Sequence, residues 1–234
     1  MINIWMHLPE FNLGFESHDT LNPLIWNGDK LKPEVNNTLI KIAKDFIKYV
    51  EVPINVSDLV ITGGQVSFYY TKHSDLDLHI IVDFKTVQCD REAAELFDAK
   101  RLLYKKQYDI TIHGIPVELY IEDIDHPAVS ASYSIGTHSW KTKPIKQTEE
   151  INTDEVLRMS KIWSVVIGHA LKANDLKIAR KVIKMLRDYR KLGLKQTGEL
   201  GVPNLVYKTL RNSKIVEKLM HLIGNLHDQE LSIK

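Results

Sequence analysis

One short stretch, residues 61–84, constrains the fold more than any other part of the chain. It reads ITGGQVSFYYTKHSDLDLHIIVDF. An apolar run ends at the pair Gly63-Gly64, and a second apolar run begins with Asp75-Leu76-Asp77. This pattern predicts two neighbouring β-strands joined by a short polar and aromatic segment. Two carboxylates therefore stand where the second strand begins.

The glycine pair and the two aspartates indicate a site for a nucleoside triphosphate. Asp75 and Asp77 share one strand face, and paired carboxylates are costly to bury unless a cation such as Mg²⁺ lies between them. Gly63 and Gly64 let backbone amides approach an anion, and a helix that began there would add the positive end of its dipole. The alternative is a plain glycine turn followed by a solvated strand start.

A third acid is expected on a later strand. Residues 117–122 read VELYIE, which places the apolar side chains on one face and both acids, Glu118 and Glu122, on the other. A predicted helix over residues 90–108 and a hairpin turn at His113-Gly114 precede this strand and bring it beside the aspartates. Glu118 is the favoured third acid, and Glu122 is the fallback.

These residues resemble the signature of the nucleotidyltransferase superfamily typified by DNA polymerase beta. That signature is a hydrophobic strand ending in Gly-Gly or Gly-Ser, then Asp-x-Asp on the next strand, then a third acid. Gly63-Gly64, Asp75-Leu76-Asp77 and Glu118 fit it in order. The run LNPLIW and residues 74–84 also resemble uncharacterised phage-encoded members. Gly64 departs from many relatives, which have serine there.

The resemblance implies an α+β fold, with a nucleotidyltransferase-like mixed β-sheet flanked by helices in residues 1–150. Helical periodicity, rather than the resemblance, predicts a helical subdomain in residues 151–234. The resemblance also implies an enzyme that transfers a nucleoside monophosphate from an NTP to an acceptor hydroxyl and releases pyrophosphate. Asp75, Asp77 and Glu118 would hold two Mg²⁺ ions, with Mn²⁺ as the substitute metal. Gly63 and Gly64 would hold phosphate through their amides.

The segment between the two strands offers further candidate contacts. Residues 65–73 are predicted to turn helically, so that Ser67 would donate to a phosphate oxygen or, alternatively, cap the helix. Lys72 would neutralise phosphate charge or remain a solvated surface lysine. His79 shares the face of the aspartates, where a metal-ligand or base role competes with that of a hydrogen-bonded wall residue. Asp83, at the far end of the strand, is predicted to cap a turn.

Other apolar patterns in the first domain predict its remaining elements. A helix begins at Pro33, and a hairpin surrounds Gly136-Thr137. Trp140 in that hairpin would stack on a base or pack at the rim of the core. Residues 1–30 are predicted to form an ordered arm, with a binding site for a peptide-like partner as the alternative. The buried face of the helix over residues 90–108 is predicted to comprise Ala93, Leu96, Phe97, Leu103 and Tyr104.

Composition restricts the class of protein. The apolar fraction of 44% and the charged fraction of 26% are typical of a soluble globular chain. Without an apolar run of membrane length or a signal-peptide pattern, a cytoplasmic location and no membrane partner are expected. The single cysteine, Cys89, excludes an internal disulfide and is predicted to be a loop bystander. A net charge of +1 means that an RNA partner would need a local basic patch.

Helical periodicity dominates from Thr153 onward. Helices are predicted from Thr153, over residues 176–192 with Gly193 as the stop, and over residues 204–210 and 215–226. The second helix is predicted to bury Ile178, Val182, Leu186 and Tyr189. Its opposite face carries a basic stripe without an interrupting acid, formed by Lys177, Arg180, Lys184, Arg187 and Lys191. The stripe would contact phosphates of RNA or of a triphosphate, or form an ordinary solvated face.

Two other functions fit the same residues. A nucleotide-binding or RNA-binding protein without catalysis would be marked by a broken acid triad, whereas this triad is complete in the sequence. A toxin-type or defence-type modifier would act on a tRNA end or on a protein. The sequence leaves the acceptor, the NTP base and the oligomeric state open.

Overall fold

The computed structural model describes residues 11, 13, 15–87, 90–125, 131–146 and 151–233. These residues form two compact units. One lies within Glu16–Gln147, and the other consists of residues 151–233 together with Phe11, Leu13 and Phe15. These three side chains therefore belong with the helical unit, whereas the sequence grouped them with the first domain. Cys89 and most of residues 1–14 lie outside the described part of the chain.

The first unit is an α+β structure built on a mixed β-sheet, which confirms the predicted fold class at that level. The six-stranded sheet has the order β5-β6-β4-β3-β7-β8, in which β4 and β6 are parallel and the other neighbours are antiparallel. A separate two-stranded ribbon pairs β1 with β2. The elements are β1 Trp26–Asn27, β2 Lys30–Leu31, α1 Pro33–Val50, β3 Val56–Thr62, β4 Leu76–Val82, α2 Asp90–Gln107, β5 Thr111–Ile112, β6 Ile115–Asp123, β7 Ser132–Ser134 and β8 Ser139–Thr142.

The alternation in β4 divides the sheet into an apolar face and a polar face. Leu76, Leu78, Ile80 and Val82 are fully buried in the same core as residues of α1 and α2. The intervening side chains, including those of Asp77 and His79, lie on the opposite face. The core stripe of α1 also follows the predicted spacing, with Val35, Leu39, Ile42, Phe46 and Val50 buried. Because these apolar residues cover one face of the sheet, the opposite, polar face is the one available for a functional site.

The buried face of α2 is narrower than predicted. Ala93, Phe97 and Tyr104 are buried, but Leu96 is 40% exposed and Leu103 is 56% exposed. Each leucine precedes a buried aromatic residue by one position, and one position rotates a side chain by about 100° around a helix. The prediction for these two leucines was therefore wrong, because α2 buries only a single row.

The two hairpins predicted in the first domain are confirmed. His113 (φ 52°) and Gly114 (φ 78°) form the tight connection between β5 and β6. The predicted hairpin around residues 136–137 is the β7-β8 pair. Trp140 on β8 stacks on Trp26 at 4.8 Å, and its indole nitrogen donates to the carbonyl of Asp29. Trp140 thus packs against the protein, which is the second of the two roles predicted for it.

The helical unit contains α3 Thr153–Ala173, α4 Leu176–Thr197, α5 Val202–Asn212 and α6 Ile215–Leu231. Asn152 and Asp175 cap the starts of α3 and α4 by accepting hydrogen bonds from Glu155 N and Ile178 N. Its core draws on all four helices and includes Val156, Leu186, Leu205 and Leu219. Among the described residues, no helix combines the length and apolarity that crossing a membrane requires.

Two predictions for α4 were wrong. Gly193 does not end the helix, which continues to Thr197. A Cβ atom at Gly193 would lie 2.4 Å from Cβ of Pro203, so this glycine allows the start of α5 to pack closely on α4. Ile178 is 45% exposed rather than buried, because the buried row runs through Ala179, Val182 and Leu186 instead.

Candidate metal centre

Three carboxylates meet where β4 and β6 run side by side. In the parallel register Asp77 pairs with Glu118, and Asp75 lies immediately before β4. A carboxylate oxygen of each acid lies within 4.8 Å of the others, and all three residues are partly buried. The crossover through α2 explains how residues about 40 positions apart become neighbours. The structure therefore brings together the three acids that the sequence singled out.

The donor set fits a hard divalent cation. Asp75, Asp77 and Glu118 offer carboxylate oxygens, which Mg²⁺ and Mn²⁺ prefer to nitrogen or sulfur ligands. Three like charges at this separation repel one another unless a cation or a proton compensates them. The site can thus bind a metal ion, and without one it should hold a proton.

Asp77 shows this electrostatic cost most clearly. Burial is the main cause that raises its pKa, to about 7, and the charges of Asp75 and Glu118 add to the effect. The charges of His79 and Lys105 act in the opposite direction but do not cancel it. A bound cation would favour the ionised form, so metal binding and loss of the Asp77 proton are coupled.

Glu118 is in a different environment. Burial alone would raise its pKa, but hydrogen bonds from Lys105 and Tyr120 outweigh burial and hold the pKa below its ordinary value. Tyr120 OH donates to Oε2 at 2.8 Å, and Lys105 Nζ from α2 forms an ion pair with Oε1. Glu118 is thus kept charged beside the aspartates. The sequence alternation could have indicated Tyr120, which shares a face with Glu118, but no local signal pointed to Lys105.

The backbone at Gly63 lies directly against the carboxylate of Asp77. Gly63 has φ 87° and ψ −166°, a conformation that is essentially restricted to glycine. A Cβ atom there would lie 2.3 Å from Oδ2 of Asp77. At Gly64 a Cβ atom would lie 2.7 Å from Oγ of Ser74. Both glycines are therefore required by close approach, at the edge of the carboxylate cluster.

The loop after the glycines is not the helix that the sequence predicted. A single 3₁₀ turn covers Gly64–Val66, and no helix follows it among residues 67–75. The buried amide of Gln65 accepts from Asn22 Nδ2 at 2.7 Å and donates to Ser74 O at 2.9 Å. These bonds pin the loop in a non-helical path, so the predicted helix dipole does not act on this site. Gln65 and Asn22 carried no signal in the sequence that marked them as partners.

Ser67 and Lys72 occupy different positions in this loop. The Ser67 hydroxyl donates to Gly64 O at 2.9 Å and accepts from Tyr69 N at 3.1 Å, so it closes the turn that follows the glycine pair. Lys72 is exposed. A phosphate contact from Ser67 would require its hydrogen bond to Gly64 O to be exchanged. The exposure of Lys72 is compatible with either of its two predicted roles.

His79 forms part of the wall behind the cluster. Its Nε2 lies 2.8 Å from Thr62 Oγ1, and its ring stacks on Tyr120 at 4.8 Å. Its Nδ1 lies 3.0 Å from Glu122 Oε2, although that contact lacks the alignment of a hydrogen bond. Glu122 therefore faces His79, whereas Glu118 faces the aspartates. This geometry distinguishes the two acids that the sequence left as alternatives.

The basic stripe of α4 lies on the helical unit and is exposed along its length. Contrary to the prediction that no acid interrupts it, Asp188 pairs with Lys184 at 2.6 Å. Arg180 contacts Nδ1 of His227 at 3.1 Å, and Arg187 lies 3.7 Å from the sulfur of Met220. Lys177 is exposed near the first turn of α4. The residues of the stripe, Lys177, Arg180, Lys184, Arg187 and Lys191, thus share one exposed surface.

Comparison of the chain with protein-family models, curated proteins and solved structures gives no match. The resemblance to the nucleotidyltransferase superfamily therefore stays a prediction. It depends on Gly63, Gly64, Asp75, Asp77 and Glu118 and on the chemistry that their arrangement permits.

Proposed function

We propose that the chain is a metal-dependent nucleotidyltransferase that moves a nucleoside monophosphate from an NTP to an acceptor hydroxyl. The supporting observation is the convergence of Asp75, Asp77 and Glu118 within 4.8 Å, next to a glycine whose backbone touches the same cluster. Neither a plain turn nor a solvated strand start requires three partly buried acids whose carboxylate oxygens lie so close together. A cation that bridges them, and an anionic substrate that accompanies the cation, account for both features.

The three acids would have different roles in binding the metal ions. Asp75 and Asp77 would bind two Mg²⁺ ions with the triphosphate, and Glu118 would complete the site towards the acceptor. When bound, these ions would stabilise the attacking and leaving oxygens of an in-line displacement. Lys105 and Tyr120 keep Glu118 ionised and oriented, so that it is a ready ligand near neutral pH.

The glycine pair supplies space and amides for phosphate. Because Gly63 has no side chain, no Cβ atom crowds the Asp77 carboxylate, and an anionic group can reach the edge of the cluster. Lys72 would add positive charge near this loop. Ser67 would donate to a phosphate oxygen only after releasing the carbonyl of Gly64.

The reaction forms a bond from the acceptor oxygen to the α-phosphorus of the NTP. The bond from that phosphorus to the oxygen bridging the β-phosphate breaks, and pyrophosphate leaves with the bonding electrons. The proton of the acceptor hydroxyl passes to a carboxylate of the cluster. Removal of any one carboxylate should reduce turnover more than it affects folding.

The test is transfer of label from each α-phosphate-labelled NTP, with Mg²⁺, to total RNA, total protein and a set of small molecules. Wild type is compared with Asp77→Asn and with Asp83→Asn, a matched change at the other end of β4. Asp83 caps a 3₁₀ turn, a role that asparagine also fills.

We expect label to reach one acceptor class with wild type and Asp83→Asn, and a loss of at least about 100-fold with folded Asp77→Asn. Magnesium-dependent NTP binding without transfer would favour the non-catalytic nucleotide-binding alternative. Absence of both binding and transfer would contradict the proposal.

A further inference from the structure

The α4 helix concentrates positive charge in a chain that is otherwise acidic. It contains eight of the 31 lysines and arginines and one of the 30 acids. Its formal net charge is therefore +7, whereas the remainder of the chain carries −6, which gives the net charge of +1. Such a separation creates a strong local potential even though the whole protein is nearly neutral.

Seven of these eight cations are exposed on the outer face of α4, whereas Arg190 is half-buried and donates to Asn204 Oδ1. The inner face of α4, with Ala179, Val182, Ile183 and Leu186, is buried in the helical core. A helix of 22 residues is about 33 Å long at about 1.5 Å per residue. Among the described residues, Lys184 is the one α4 cation held in an ion pair, and that pair with Asp188 is exposed and thus weak. The surface suits an extended polyanion.

An apolar strip runs along one edge of the basic face. Ile178, Met185 and Leu192 are 45%, 48% and 57% exposed, and they follow one another at intervals of seven residues, or about two helical turns. A polyanion that offers only phosphate groups would leave this apolar strip exposed to water. A single nucleic-acid strand also presents unpaired base faces, which pack on apolar and aromatic side chains.

A membrane surface fits this face less well. A helix that lies in the membrane interface inserts a broad apolar face, but the broad apolar face of α4 is already packed in the helical core. Three half-exposed side chains offer little area for insertion. A duplex also fits less well, because its bases are stacked inside and unavailable to the strip.

We infer that the outer face of α4 binds single-stranded RNA, with Lys177, Lys184, Lys191 and their basic neighbours on the phosphates and the apolar strip on unpaired bases. The choice of RNA over single-stranded DNA rests on the proposed function, because RNA supplies 2′-hydroxyls as well as a terminal hydroxyl for nucleotidyl transfer. The location of the binding surface rests on charge and exposure alone.

The experiment measures fluorescence anisotropy of a labelled, unstructured RNA of about 20 nucleotides against the full chain, without NTP or Mg²⁺, at several salt concentrations. The variant Lys177→Gln/Lys184→Gln/Lys191→Gln removes three charges from the stripe. Its matched control is Lys41→Gln/Lys44→Gln/Lys48→Gln, which removes three exposed lysines from one side of α1. Both variants have the same net charge, so that only the position of the charge differs.

Wild type and the α1 variant are expected to bind alike. The α4 variant should show a salt slope smaller by about 2, because each lost phosphate contact removes about 0.7 from the slope for a single strand. At about 0.1 M salt this corresponds to about 100-fold weaker binding. A further change, Met185→Ser, should weaken RNA binding without altering the salt slope.

Several results would overturn the inference. These are equal losses in the α4 and α1 variants, no RNA binding by wild type, equal affinity for duplex DNA, or preference for vesicles with anionic lipid or for an acidic peptide. Equal binding of single-stranded DNA would overturn the choice of RNA. RNA binding is measured without NTP, so failure of nucleotidyl transfer would not contradict the proposed RNA-binding surface. Transfer without RNA binding would contradict that surface but not the proposed transferase activity.

Discussion

The protonation of Asp77 leads to a quantitative prediction for Asp77→Asn. Burial, with the charge of Asp75, raises the pKa of this carboxyl from 3.8 to about 7. A group whose pKa is higher in the folded state binds more protons when folded, so it lowers the free energy of unfolding as pH rises between these values. Asparagine keeps nearly the same shape without the charge. In metal-free buffer, Asp77→Asn should therefore be more stable than wild type.

The size of this stabilisation follows from the pKa difference. A difference of about 3 between the folded and unfolded carboxyl corresponds to about 4 kcal/mol at about 1.36 kcal/mol per pKa unit. At pH 8 the full effect applies, whereas at pH 5 the folded carboxyl is mostly protonated and the effect is about 2 kcal/mol. The advantage of Asp77→Asn should grow by about 2 to 3 kcal/mol from pH 5 to pH 8.

Urea unfolding of the two proteins with EDTA, followed by circular dichroism at pH 5 and pH 8, measures this change. Differences in hydrogen bonding between aspartate and asparagine do not depend on pH here, so they cancel in the comparison between the two pH values. Asp83→Asn serves as the control, because its side chain lies outside the cluster. An advantage that stays constant or shrinks towards pH 8 would refute the electrostatic account of the site.

Three further substitutions test other parts of the structure. Gly63→Ala should lower the free energy of unfolding in urea by about 1 to 3 kcal/mol, because the backbone conformation at residue 63 is strained for alanine. It should also abolish transfer, because the new Cβ atom would displace the Asp77 carboxylate. Transfer at the wild-type rate in this variant would contradict the close packing of Gly63 on Asp77. Lys105→Gln should raise the pKa of Glu118 and move the acid limb of the transfer pH profile to higher pH, whereas an unchanged profile would show that this ion pair is irrelevant. Gly193→Ala should destabilise the helical unit by about 1 to 3 kcal/mol in thermal unfolding, because α5 packs against this position, and a neutral result would argue against that close approach.

The acids of the cluster could be predicted because the alternation in β4 and in β6 is a local pattern. Strand alternation assigned Asp75 and Asp77 to one face and Glu118 to the corresponding face of β6. The parallel pairing of these strands, with Asp77 opposite Glu118, depends on the long crossover through α2, and no local pattern gives that register. The choice between Glu118 and Glu122 therefore needed the structure.

Contacts between residues nine or more positions apart explain two of the errors. The loop after Gly64 was predicted as a helix, but Gln65 forms buried side-chain bonds with Asn22 and with the carbonyl of Ser74, which override local preference. Gly193 was predicted as a helix stop, but its role is set by Pro203 on the next helix. In both cases the determining partner is a residue whose proximity the local sequence does not reveal.

Exposure of apolar residues was the second source of error. Periodicity gives the direction of an apolar stripe but not its width, which depends on the neighbours that cover it. The sequence accordingly predicted too wide a buried face on α2, where Leu96 and Leu103 are exposed. On α4 the same error assigned Ile178 to the buried face, although this residue belongs to an exposed apolar strip. This strip became visible only with the packing of the helical unit.

Binding of Mn²⁺ to the nucleotide-free protein, followed by electron paramagnetic resonance, tests the central claim most directly. Wild type and Glu122→Gln should bind Mn²⁺ saturably, since Glu122 faces His79 and lies outside the cluster. Glu118→Gln and Asp77→Asn should lose at least about 10-fold in affinity, because each loses a carboxylate ligand. Absence of saturable binding in wild type, or an equal loss in Glu122→Gln, would contradict a metal site formed by Asp75, Asp77 and Glu118.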